Sequence, residues 1–509
     1  MTAREVDVLI VGAGLSGIGA ACHLTMRRPG TTYAILEARH TFGGTWDLFR
    51  YPGIRSDSDL HTFGFEFRPW RREHSLAGAQ EILDYLHDTA AEYGVLDKIS
   101  YRSKVVRADW SSETARWTVD VVRTDPQTGA EEHETWTARW VFAGTGYYRY
   151  DRGFTPELPG ISEFRGTVVH PQLWPEDLDY QGKRVVVIGS GATAVTLIPA
   201  MAPTAAHVTM LQRSPSYVMP QPNVDPLGRA ARRVLGDERG YRFTRRKNIY
   251  QQQLFYKAAQ RWPRQVRAMI RSLNVKFLPE DFPVDVHFKP RYDPWDQRLC
   301  VVPDADLFHA ISEGKASVVT DTIAGFTADG VRLGSGEVLP CDVLVTATGL
   351  DLLVFGGIEG YVDGEKVDPP QHLAYKGAML SDVPNFVFAI GYTNSSWTLK
   401  VDLVCRFLCR VLDEADRQGA DTVVPVLGTS DVETRPLLDF AAGYVQRAVH
   451  LMPRTGPAQP WRLPQDYFED SRVLGRGRVD DGTLAFSSSA RRAAAAPAGR
   501  PAKPVTPTG

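Results

Sequence analysis

The chain has 509 residues and a formal charge of −2, too long for one core of ordinary size and close to neutral. It therefore predicts two or three domains and gives no electrostatic case for binding nucleic acid. Five scattered cysteines (Cys22, Cys300, Cys341, Cys405 and Cys409) without a CxxC pair argue against a secreted disulfide framework and predict a reducing, cytoplasmic setting.

The first apolar stretch, VDVLIV (6–11), is flanked by Glu5 and Asp7 and lacks a basic start with a small-residue cleavage site. It reads as a strand of the fold and not as a signal peptide. GAGLSG, a helical stretch and TYAIL (32–36) follow, completing a βαβ unit. Gly12, Gly14 and Gly17 form GxGxxG. Its spacing serves a tight turn, close approach to a pyrophosphate, and close packing of helix on strand. Glu37 stands twenty residues beyond Gly17, where a carboxylate accepts hydrogen bonds from ribose hydroxyls. The next segment, GGTWDLFRYPGIRSD (43–57), has glycines and Pro52 that predict a bent loop. WVFAGTGYY (140–148) is a further strand ending at glycines, closing the first unit.

FRGTVVHPQLWP (164–175) comes before a second unit. His170 and Trp174 are four apart, but Pro171 weakens a continuous helix. By position the segment is a connector: Gly166 is expected to allow a tight turn, Phe164 and Trp174 to anchor its ends, and His170 to tie it to neighbouring backbone. RVVVI (184–188), GSGATA (189–194), a helix and HVTML (207–211) then repeat the first unit, so two nucleotides are implied. Residues 185–211 contain no Asp, Glu, Lys or Arg, yet glycine, threonine and two prolines break them, which rejects a membrane span. The second loop carries Gly189, Gly191 and Ala194, and nineteen residues later stands Arg213 in place of an acid. A guanidinium there pairs with a 2′-phosphate, pointing to NADPH; the alternative is a surface arginine at a strand end.

Residues 225–278 lack strand patterning and hold fourteen Lys or Arg against three acids, a local charge of +11 that leaves about −13 for the remainder. They predict helices, either a solvated cover over one domain or a peripheral attachment to anionic lipid; RWPRQVRAMIRSL (261–273) carries the amphipathic pattern. CDVLVTATGLD (341–351) and NFVFAIGY (385–392) are returning strands that end at glycines, and the tail from Ser487 is low-complexity and predicted disordered. Cys405 and Cys409, four apart on a predicted helix, read as packed thiols.

A dinucleotide site at the N-terminus with an NADPH site inserted within the same chain is the plan of a two-dinucleotide flavoprotein. The stretch from Phe164 through Gly166, His170 and Trp174 matches the FxGxxxHxxxW(P/D) signature of type I Baeyer–Villiger monooxygenases, and residues 43–57 match that family's GGxW, YPG and Asp pattern. Over about residues 5–475 the chain resembles that family, class B flavoprotein monooxygenases. PRYDPWDQRLCVVPDADLF (290–308), AYKGAMLSDVPN and GYTNSSWTLK make it most similar to the ethionamide-activating subgroup. Heteroatom-oxidising flavin monooxygenases share the Phe, Gly and His but differ where Trp174 and Pro175 stand.

The resemblance implies an α/β fold of two Rossmann-like domains, for FAD and NADPH, with a helical insertion in the NADPH domain. The expected division is an FAD domain over 1–147 and 384–486, an NADPH domain over 148–213 and 297–383, the insertion over 214–296, and a disordered tail over 487–509. Implied cofactor contacts are Gly12, Gly14, Gly17, Glu37, Gly44, Thr45, Trp46 and Asp57 for the first nucleotide, and Gly189, Gly191, Ala194 and Arg213 for the second. The family's active-site arginine maps onto Arg298 and its partner carboxylate onto Asp57, with Asp59 an alternative carboxylate by chemistry alone. The implied reaction inserts one atom of O2 beside a ketone carbonyl through a C4a-peroxyflavin, giving an ester or lactone, with sulfoxidation as a side activity. Many relatives carry Lys before that arginine; Gln297 stands here, so NADPH selectivity is expected to rest on Arg213. Oxidation of sulfur or nitrogen, and a non-oxygenating redox sensor or carrier, are the competing functions. The expected partners are a ketone or organosulfur molecule and O2; no metal site and no nucleic acid are expected, and sequence does not set the oligomeric state.

Overall fold

A computed structural model describes residues 4–297, 299–428 and 432–489. The strand Arg4–Val11 is flanked in parallel by Tyr33–Leu36 and Glu131–Ala143. Its last four residues are all buried, as expected of a central parallel strand covered on both faces. The helix Leu15–Arg27 buries every residue from Leu15 to Leu24, so the first βαβ unit forms as its apolar pattern predicts. Around it grows an eleven-stranded mixed sheet among the described residues, extended by the antiparallel strands Ser103–Ser111 and Arg116–Thr124.

The second body is a five-stranded parallel sheet in the order Ala316–Thr320, His207–Gln212, Arg184–Ile188, Val343–Thr346, Thr167–Val169. One face packs the helix Ala192–Met201, whose Leu197, Ile198 and Met201 share a core with Val185, Val187 and Val345. Part of the signature stretch is thus more than a connector: residues Thr167–Val169 are the sheet's edge strand. Chain crossings between the bodies are made by Tyr148–Gly153 and Leu350–Leu352, which pair antiparallel as a two-stranded hinge.

Three expected boundaries change. The strand Glu359–Val362 pairs in parallel with Arg107–Trp110 of the first sheet, so the chain is back in the first body by residue 359 and not 384. The inserted segment opens and closes on strands, Tyr217–Gln221 pairing in parallel with Leu299–Pro303, and its long helices are Pro226–Leu235, Asp237–Arg261 and Pro263–Phe277. Ser487 belongs to the strand Leu484–Ser487, paired with Thr422–Pro425; the rest of the predicted tail, from residue 490, lies outside the described residues.

The insertion also covers more than the second body. Arg245, buried, donates to the carbonyls of His61, Thr62 and Gly64 at 2.9, 3.1 and 2.7 Å, and lies 3.8 Å from the buried Asp402 carboxylate. The guanidinium thereby ties the carbonyls of residues 61, 62 and 64 to the insertion by charge-assisted hydrogen bonds. Arg267 and Arg271, two of the cations read on the third long helix, are engaged by Asp293 and Asp285. Among the described residues no helix is long and apolar enough to cross a membrane.

All five cysteines are buried and free. Burial pushes the Cys22, Cys341 and Cys409 thiols up to about 12, which holds them as neutral packing groups.

Candidate functional site

The first loop is built by backbone contacts that leave no room for side chains. Gly12 has φ +96°, and a Cβ there would meet the Gly144 carbonyl oxygen at 2.9 Å; a Cβ on Gly17 would meet the Gly12 carbonyl oxygen at 1.8 Å. Gly14 differs, since the nearest atom to its would-be Cβ is the Gly44 Cα at 3.6 Å. The gap between Gly14 and Gly44 faces the main cavity, which both residues line. Gly44 starts the short helix Thr45–Leu48 from a φ of +58°, and Trp46 stands edge-on to Phe63 with ring centroids 5.7 Å apart.

Glu37 closes the strand at the same wall. Its carboxylate accepts from the Ala13 N–H at 2.7 Å and from the Arg39 N–H at 2.9 Å. Burial raises its pKa above the ordinary carboxylate value, while those donors and the Arg39 charge oppose the shift. Each oxygen keeps a lone pair, so the group fits a ribose diol, and the Gly14–Gly44 gap fits a backbone-hugging pyrophosphate.

In the second loop a Cβ on Gly189, at φ +127°, would meet the Ala347 carbonyl oxygen at 2.3 Å, whereas Gly191 faces open space. Ala194 is fully buried, and its methyl is part of the second core. Arg213 follows the strand His207–Gln212 and is exposed. Ser190 of the loop shares a hydrogen bond with Ser216 at 2.8 Å, so the segment carrying Arg213 folds back over the loop.

One cavity of about 1480 Å³ connects the two loops, lined by Gly14, Glu37 and Thr45 on one side and by Gly191 and Thr193 on the other. That volume exceeds the usual range for a single drug-sized ligand, roughly 300–1000 Å³. Asp57 and Gln297 also line it. Arg298 itself lies outside the described residues; its neighbours Gln297 and Leu299 both reach the cavity wall. Asp59 lines the cavity as well, but its carboxylate is engaged. It caps the short helix Leu60–Phe63, accepting from the N–H groups of His61 and Thr62 at 3.3 and 3.1 Å, and accepts from Asn248 Nδ2 at 2.9 Å.

The segment leading to Asp57 is pinned to the second body, which sequence reasoning missed. Tyr51 packs in the second core. A Cβ on Gly53, at φ +75°, would meet Ala200 Cβ at 2.6 Å, and Arg55 pairs with Asp306 at 2.5 Å. The YPG turn is therefore a contact between bodies. Arg447 was also missed: it donates to the Leu350 carbonyl at 3.0 Å and lies over the Phe154 ring, bracing the hinge. Nothing in the local sequence signals either role.

Of the signature residues, His170 meets that hinge and the others pack in the second body. His170 Nδ1 accepts from the Gln172 N–H at 3.2 Å, and its ring lies so close over Gly153 that a Cβ there would meet it at 1.9 Å. Burial lowers the His170 pKa, keeping the imidazole neutral. Gly166 is not at a positive φ; its lack of a side chain admits the Phe164 ring and the Asp342 carbonyl, at 2.4 and 2.5 Å from a would-be Cβ. Phe164 is buried with Val186 and Leu211, and Trp174 packs against the second core. Among the described residues no group of three or more His, Cys, Asp or Glu is placed to hold a metal ion.

Comparison with known proteins gives two family matches, an NAD(P)-binding Rossmann-like domain over residues 10–73 and a flavin-binding monooxygenase-like family over residues 74–243. The chain is 51% identical over 488 residues to the FAD-containing monooxygenase EthA of Mycobacterium tuberculosis, covering 95% of this chain and 98% of that protein. It is 48% identical over 498 residues to the putative FAD-containing monooxygenase MymA of the same organism, covering 97% and 100%. Among solved structures, an oxidized steroid monooxygenase bound to NADP superimposes with a TM-score of 0.75 at 21% identity, covering 95% of this chain and all of that one; at that identity the likeness is one of fold.

Proposed function

The chain belongs to the family of FAD-containing monooxygenases, with FAD- and NADP(H)-binding domains, and we propose that its reaction is a Baeyer–Villiger oxidation. A ketone, O2, NADPH and a proton give an ester or lactone, NADP⁺ and water, one oxygen atom entering the bond beside the carbonyl. FAD is assigned to the Gly12–Gly17 loop, although the family model matched there is described as NAD(P)-binding, and NADPH to the Gly189–Ala194 loop. The observation that carries the reading is that Asp57 lines the cavity shared by both loops, while the carboxylate of Asp59, on the same wall, is taken up by the helix N–H groups of His61 and Thr62 and by Asn248.

Bound FAD, reduced by NADPH, supplies the oxygen activation. The protein's part is to hold, orient and neutralise. Gly14 and Gly44 admit the FAD pyrophosphate, Glu37 takes the ribose, and Thr45 and Trp46 wall the cavity beside it. Arg298 stabilises negative charge on oxygen during attack at the carbonyl, and Asp57 orients that guanidinium. Incubation with NADPH, O2 and a panel of ketones and sulfides tests the reading: esters are expected. Sulfoxides or amine oxides without ester would assign the chain to heteroatom oxidation instead.

Arg213 is assigned to the 2′-phosphate. Arg213→Ala should raise KM for NADPH on the order of 10-fold while that for NADH stays nearly constant, the scale of one exposed charge-assisted contact. Equal changes would remove the assignment. His170 is a positioning residue: His170→Ala should slow flavin reduction by NADPH on the order of 10-fold by loosening the hinge, with the protein still folded and FAD bound. Unchanged reduction kinetics and unchanged NADP⁺ retention would leave it without that role.

A further inference from the structure

We propose that the helical hairpin Pro226–Leu235 and Asp237–Arg261 docks on an anionic lipid surface and presents the cavity mouth to it, so that substrates dissolved in the membrane enter there. Along the second helix Arg239, Phe243, Arg246, Tyr250 and Leu254 recur at i, i+4, i+7, i+11 and i+15, which aligns them on one stripe. All five are exposed, Phe243 at 47%, Tyr250 at 55% and Leu254 at 64%. The opposite stripe, with Tyr241, Thr244, Arg245 and Asn248, is buried. The hairpin is tightly closed, since a Cβ on Gly240 would meet Arg232 Cα at 2.4 Å. The exposed stripe is therefore held rigidly outward.

Some of the insertion's cations are paired and others are not. Arg245, Arg267 and Arg271 face Asp402, Asp293 and Asp285. Arg239 and Arg246 make no ion pair among the described residues, and Arg242 has only the exposed Glu238 at 3.8 Å. These arginines, with Phe243, Lys247 and Tyr250, line a surface groove of about 490 Å³. Lys247 lines the main cavity as well, as do Pro226 and Leu227 of the first hairpin helix, and Leu227 is 61% exposed. Groove and cavity mouth thus share a rim.

A bilayer interface satisfies both components at once: head groups take the guanidinium charges and the acyl boundary takes Phe243, Tyr250 and Leu254. A second copy would bring the same positive charge against itself. The excess negative charge on the remainder of the chain orients the hairpin toward an anionic surface. Docking stands on these observations alone, whereas substrate entry from the membrane rests on the ketone reading above.

The test is flotation of the FAD-loaded full chain with phosphatidylcholine vesicles and with vesicles that also contain phosphatidylglycerol. Binding is expected only to the anionic vesicles, weakening at high salt. The triple variant R239Q/R242Q/R246Q should lose partitioning on the order of 100-fold, and Leu254→Ser should weaken it with the charge intact. The triple variant should still oxidise a water-soluble cyclic ketone at the original rate but turn over a long-chain ketone dissolved in anionic vesicles more slowly. No anionic binding at low salt, equal binding to neutral vesicles, or unaltered binding by the triple variant overturns docking. So does a variant that changes only the oligomeric state, which would make the stripe a self-interface. If the original protein makes ester from neither ketone, the ketone reading fails while the flotation result still decides docking.

Discussion

Gly17→Ala is expected to yield protein that no longer retains FAD. The methyl would lie 1.8 Å from the Gly12 carbonyl oxygen and 3.3 Å from the Ile10 methyl, so either the helix Leu15–Arg27 lifts from the sheet or the loop opens. Overpacking of this kind costs about 1–3 kcal/mol or more, which on cofactor affinity is roughly 5- to 150-fold. Gly14→Ala supplies the contrast. Its methyl meets nothing nearer than 3.6 Å, so the apoprotein should melt unchanged while FAD binding weakens, because the side chain fills the gap opposite Gly44. Flavin absorbance per protein after gel filtration, together with apoprotein melting, separates the two effects. Full flavin content in Gly17→Ala would show that the loop does not hold the cofactor.

Much of this site was legible in the sequence because its constraints are local. A glycine packed against a carbonyl five residues earlier leaves its mark in the spacing, as Gly17 does against Gly12, and the acid or base closing the second strand of each unit falls at a countable distance. What was not legible depends on partners far along the chain. Arg55 meets Asp306 across 251 positions, and Arg447 reaches the hinge carbonyl of Leu350 across 97. The return to the first sheet was placed too late for a related reason: Glu359–Val362 is only partly buried and lacks the apolar run that marked 341–346 and 385–390. Gly166 illustrates the converse: it was expected to allow a tight turn, whereas what its missing side chain admits is the Phe164 ring and the Asp342 carbonyl, a contact that local spacing does not reveal.

The carboxylate question is also one of context. Asp57 and Asp59 are equivalent by sequence, yet Asp59 has its oxygens occupied by two helix N–H groups and Asn248. Asp59→Ala should therefore act on folding, costing about 0.5–2 kcal/mol for a lost N-cap, with turnover per folded molecule largely retained. Asp57→Ala should instead slow ester formation per folded molecule.

Arg298→Ala carries the largest expected effect on turnover. A fixed donor at developing oxyanion charge is worth about 2.7–4 kcal/mol, so ester formation should fall about 10²- to 10³-fold with FAD still bound and NADPH still oxidised. Because no ester forms, the electrons should appear as hydrogen peroxide: NADPH, O2 and a proton give NADP⁺ and H2O2. If Asp57 acts only by orienting Arg298, adding Asp57→Ala to Arg298→Ala should cost almost nothing further, since residues that work as a unit are not additive. Additive losses would mean that Asp57 serves the reaction independently, by way of a contact other than the guanidinium. Full ester formation by Arg298→Ala would move the charge-stabilising role to another residue of the cavity and remove the main chemical argument for attack at a ketone.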